Sequence, residues 1–228
     1  MNTPTPPTPP HRGSLRERYA RIADQSEEEL AADLLSLTPT HGGRDREQLR
    51  GWAATALEFG RAMADSRGGT WAPPEPRITE RERGGVSSRE VLLAEYLHRG
   101  ARSQVVVYTD ALTFAQRVAR AAGWSEDYTR DTVRQAALAH EEAHRMLHGE
   151  LGRELRRRID HTALRFGPLR LRGHVVGADE ITAHAYAHRR CSLRRSPLAL
   201  TAAIAAALTH RSPHPPGSGS RTTPGDRP

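Results

Sequence analysis

The stretch Ala139–Gly149 reads A-H-E-E-A-H-R-M-L-H-G, and its reading decides the rest of the chain. His140 and His144 stand four residues apart, about one helical turn, so on a helix their imidazoles share a face. Glu141 follows the first histidine directly. This is the H-E-x-x-H arrangement, in which two histidines hold zinc and the glutamate is the general base of a hydrolase. His148 repeats the four-residue step. It nevertheless lies eight residues from His140, about 12 Å along a helix axis, so one unbroken helix cannot bring both to one ion. The stretch also lacks the glycine break of H-E-x-x-H-x-x-G-x-x-H, and His148 is read as packing beside the site or supporting a ligand from behind.

A hydrolytic zinc takes three protein ligands and keeps one position for water. The third is sought downstream, in G-A-D-E-I-T-A-H-A-Y-A, where Glu180 comes 36 residues after His144. A glutamate on a later helix beside the motif helix completes a set of two histidines and one glutamate, so Glu180 is the expected third ligand. His184 shares its face one turn on, and His174 precedes that helix. Either could replace Glu180, and Asp179 is open between ligand, helix cap and hydrogen-bond partner of a ligand histidine. Tyr108 and Tyr186 are assigned to packing. His161, His188 and His210 are assigned to solvated surface.

Outward from the motif, the Thr129–His148 segment is expected as one helix, with Val133, Ala136, Ala137, Ala143 and Leu147 packed inward. Upstream, Q-V-V-V-Y-T is β-prone and pairs in expectation with R-E-V-L-L-A-E-Y-L as a hairpin, although Ser87 and Glu90 could instead cap a helix. Helices are expected over 14–23, 26–37, 44–66, 111–122, 150–165, 178–190 and 196–209, with a loop or short strand over 169–176. The Gly- and Pro-broken segment 67–86 reads as a loop or linker. The division is then 1–13 and 211–228 as disordered tails, 14–66 as a helical region and 87–210 as the domain carrying the motif. Fold class is expected to be α+β: mostly helical, with a small sheet against the motif helix.

Composition narrows the function classes. The net charge of +7 suggests an anionic partner, yet all 34 basic residues are arginine and most alternate with acids. Nucleic acid is therefore not expected as the main partner; runs 156–158 and 189–195 are the densest basic stretches. Cys191 is the single cysteine, which excludes an intrachain disulfide and a CxxC knuckle. No run reaches the ~20 apolar residues of a membrane span, and the chain is expected to be soluble and cytoplasmic.

Within residues 90–200, V-V-V-Y-T-D, then A-L-A-H-E-E-A-H-R-M-L-H, then D-E-I-T-A-H-A-Y-A resembles the ImmA/IrrE-type minimal zincin metallopeptidases. The downstream likeness rests on Glu180, Ala183, Tyr186 and Ala187, and His148 matches a histidine often found one turn beyond the motif in that family. The resemblance implies a Zn2+ peptidase that cleaves a protein substrate, often a transcriptional regulator. Zinc would be held by His140, His144 and Glu180, with Glu141 as base. Two other readings compete. A ferritin-like carboxylate metal protein would use Glu141-x-x-His144, but needs a second E-x-x-H that the C-terminal half does not cleanly supply. A non-catalytic, zincin-shaped binding module would have no need of Glu141 as a base.

Overall fold

A computed structural model describes residues 14–66, 75–99, 102–166 and 169–211. The expected tails, 1–13 and 212–228, and part of the expected linker, 67–74, lie outside the described residues. Helix-start chemistry organises the N-terminal third. Ser14 and Ser26 each accept a backbone N–H from the third helical residue, while Glu17 and Glu29 reach back to the serine N–H. These two capping boxes, each worth about 1 kcal/mol, start α1 (Leu15–Asp24) and α2 (Glu27–Ser36). A 3-10 turn at Pro39–His41 leads into the long α3 (Arg46–Ser66). Leu49, Trp52, Ala53, Ala56, Leu57, Phe59 and Met63 bury one face of α3.

The sheet has strand order β1-β3-β2: β1 (Arg77–Arg81) runs parallel to β3 (Arg102–Tyr108), and β2 (Ala94–Arg99) runs antiparallel to it. The expected hairpin is thus formed. Ser87 does not cap a helix; it closes a tight turn, accepting from Arg89 and Glu90 N–H. The segment read as linker also contributes β1, which the sequence hid because R-I-T-E-R is polar at every position but one. Side chains alternate across β3: Val105 and Val107 enter the main core, and Val106 and Tyr108 pack on the other face with Ala111.

After the sheet come α4 (Thr109–Ala121), α5 (Arg130–Leu147) and α6 (Glu150–Ile159). A Cβ at Gly152 would meet the Leu147 carbonyl at 2.0 Å, so the chain can double back there only on glycine. Asp160, at φ 47°, ends α6 earlier than the charge pattern suggested. Next, β4 (Thr162–Phe166) and β5 (Leu169–Arg172) form a two-stranded antiparallel ladder. The final helices are α7 (Ala178–Arg190) and α8 (Pro197–Arg211). Eight α-helices and a small three-stranded sheet make this a mostly helical α+β structure among the described residues.

The packing of α7 matters most for the site. Gly60 of α3 lies against its backbone: a Cβ there would meet the Thr182 carbonyl at 2.3 Å. Thr182 Oγ1 donates across this crossing to the Ala56 carbonyl at 3.2 Å. With α3 pressed on one side, the opposite face of α7 is turned to α5. Residues from α1–α3, α4, α5, α7 and α8 share one apolar core. The arginine runs are largely engaged by acids: Arg157 and Arg158 with Glu154, Arg189 with Asp65, and Arg194 and Arg195 with Asp127. No described helix is long and apolar enough to cross a membrane.

Candidate metal centre

Helix α5 begins at Thr129, whose hydroxyl accepts the Thr132 N–H at 3.2 Å. Val133, Ala137, Ala143 and Leu147 anchor it in the core, while Ala136 lines a cavity. Its remaining face carries His140, Glu141 and His144. His140 Nε2 and His144 Nε2 are 3.0 Å apart, with ring centroids 4.6 Å apart. From α7, Glu180 places one carboxylate oxygen 3.2 Å from His140 Nε2 and the other 3.1 Å from His144 Nε2. His184, one turn further, sets Nε2 3.3 Å from the first of those oxygens.

The ligand atoms of His140, Glu180 and His184 all lie within 4.8 Å of one another, and this cluster, spread over two helices, can hold a metal ion. Imidazole and carboxylate suit first-row divalent ions. Donors 2.0–2.1 Å from a tetrahedral ion stand about 3.3–3.4 Å from each other. The 3.0–3.3 Å separations seen here are close to that spacing. Two buried nitrogens of His184, and Nδ1 of His140, have no hydrogen-bond partner. Buried polar atoms are rarely left so, and an ion in the cluster would give a partner to His184 Nε2, the one of these that faces Glu180.

Electrostatics follow the same geometry. Burial opposes ionisation of Glu180, but the imidazoles of His140, His144 and His184 around it prevail and hold its carboxyl far below the usual range. Burial lowers His140, helped by the charge of His184. Burial also works against a charged His144, but Glu180 outweighs it and raises that imidazole. Burial pushes the Glu141 carboxyl up. One oxygen of Glu141 accepts the Tyr96 N–H at 2.9 Å. Tyr96 lies on β2, one of the two edge strands, and the Tyr108 N–H to Leu93 carbonyl bond fixes which residues face β3. By antiparallel alternation Leu93 faces β3 and Tyr96 faces outward.

His140, Glu141, His144, Glu180 and His184 line one cavity of about 300 Å3, walled by Leu92, Leu93, Val133, Leu200 and Ile204. His148, His174 and Asp179 instead line a second cavity of about 230 Å3, on the other side of His144. Gly177, at φ 90°, stands at the N-cap of α7, so of the roles left open for Asp179 that of cap is not seen. Two assignments to solvated surface are corrected. His161 stacks edge-on against Trp52, with ring centroids 4.8 Å apart, and His188 is held between Glu27 and the Leu193 carbonyl. His210 is exposed, and Tyr186 is fully buried. The Tyr96 N–H had no signature in the sequence, because any residue supplies a backbone donor.

Comparison with family models, with curated proteins and with solved structures returns no match to this chain.

Proposed function

We propose that the chain is a zinc-dependent metallopeptidase of minimal zincin type, similar to the ImmA/IrrE group, with His140, His144 and Glu180 holding the ion. The observation that carries this reading is the meeting of three donors and Glu141 in one cavity beside the β2 edge of the sheet. A divalent ion held there would supply Lewis acidity and acidify a water. Glu141 takes that water's proton and delivers it to the leaving amine. The outward Tyr96 N–H belongs to a strand that can accept an extended peptide as a further strand. The 300 Å3 cavity beneath it, largely apolar, suits a substrate side chain.

The ferritin-like alternative has less support. Glu141 turns to a backbone N–H rather than joining Glu180, and α5 lies against a sheet rather than inside a simple bundle. The experiment is cleavage of an unfolded protein substrate by the zinc-loaded full chain beside Glu141→Gln. Hydrolysis by the first and not the second is expected. Equal cleavage by both would refute the role of Glu141.

A further inference from the structure

Beyond the three donors of that reading, and resting on it, we propose that His184 is a fourth protein donor to the ion. The centre is then a set of three histidines and one glutamate built from two i,i+4 pairs on facing helices: His140 and His144 on α5, Glu180 and His184 on α7. Residues four apart share a helix face, so a helix that delivers Glu180 to the cluster delivers His184 with it.

Three observations carry this. His184 is 8% exposed, and neither ring nitrogen has a hydrogen-bond partner. Leaving a buried polar atom unpaired is costly, so a packing role alone does not explain an imidazole whose Nε2 faces the cluster. The ring is turned into the cluster: its centroid is 4.5 Å from that of His140. Its Nε2 is 3.3 Å from the Glu180 oxygen that also faces His140, without the alignment of a hydrogen bond. Lastly, Pro197, Leu200, Thr201 and Ile204 line the same cavity, and neither His184 nitrogen is hydrogen-bonded to the Thr201 hydroxyl.

The consequence concerns where water can bind. Four protein donors fill a tetrahedral shell, the pattern of a closed zinc site. Room for water then requires a fifth position, which hydrolytic zinc sites can take up, or release of one donor.

The test is a Co2+ titration of the full chain, followed by visible absorption, with Zn2+ competition to obtain Kd. Wild type is compared with His184→Ala and His184→Asn. His184→Ala is expected to bind one ion about a hundredfold more weakly, with altered Co2+ bands, and added imidazole is expected to restore them. His184→Asn, which keeps a polar group in the same place, is expected to resemble His184→Ala without imidazole. Unchanged Kd and bands in both variants would overturn the proposal. Weakened binding with unaltered bands and no imidazole rescue would also overturn it, by assigning His184 to packing. Absence of Co2+ and Zn2+ binding by wild type would instead remove the metal reading itself, and this proposal with it.

Discussion

Glu27 meets His188 of α7, while Glu180, on α7 itself, meets His140 and His144 of α5, and the two encounters end differently. One Glu27 oxygen lies 3.0 Å from His188 Nδ1 and accepts the Ser196 hydroxyl at 2.5 Å; the other pairs with Arg61. His188 Nε2 faces the Leu193 carbonyl at 3.1 Å. Each of these groups has a partner. The knot fastens the start of α2 to α3, α7 and the turn before α8. Around Glu180, three imidazoles converge on one carboxylate, and buried nitrogens are left over. An acid–histidine contact alone is thus no sign of a metal site. Surplus donors without partners are what separate a centre that can take an ion from a structural tie.

The comparison yields graded expectations. The largest effect belongs to His140→Ala, which should weaken Zn2+ binding by about a thousandfold or more in a competition titration. Retained affinity would place Glu180 in the same class as Glu27. Next, Glu141→Gln should keep the ion but lower hydrolysis by about 10²–10⁴, read as kcat/KM on the same substrate.

Glu27→Gln should leave Zn2+ affinity within about twofold and lower unfolding free energy by about 2 kcal/mol in urea melts at pH 7. The sign follows from its pKa. Burial opposes ionisation, but His188, Ser196 and Arg61 outweigh it and bring Glu27 down to about 2. A depressed folded-state value means stability present above the unfolded value, about 4.3, and lost as pH falls towards 2. The difference between wild type and Glu27→Gln should therefore shrink across that window; a constant difference would contradict the knot. Gly60→Ala should destabilise by about 1–3 kcal/mol, because the α3–α7 crossing has no space for a methyl group. It also asks whether α7 must be pressed against α3 to aim Glu180, and weaker Zn2+ binding in the folded variant would say so. His148→Ala should change neither stability nor affinity by more than about twofold, since His148 is exposed and lines the other cavity.

Much of this was legible in local sequence. The four-residue spacing in α5 and α7, the serine caps and the valine run of β3 act through neighbours along the chain. Glu180 and His184 could be named because they share a helix face. That Glu180 would stand beside the motif helix was expected; what presses α7 there was not legible. The crossing that turns α7 to α5 depends on Gly60, which in sequence is one glycine inside a long helix. β1 was missed because its pairing with β3 lies in backbone bonds, not in an apolar pattern. His188 looked like surface because its partners, Glu27 and the Leu193 carbonyl, are 161 residues before it and five after it.

The central claim is that α5 and α7 together hold one metal ion. Its most direct test is a Zn2+ titration by calorimetry of the full chain beside Glu180→Ala. One ion per wild-type chain is expected, with affinity reduced by about a hundredfold or more in the variant. A wild-type chain that takes up no ion, or a Glu180→Ala chain that binds as tightly as wild type, would contradict the account.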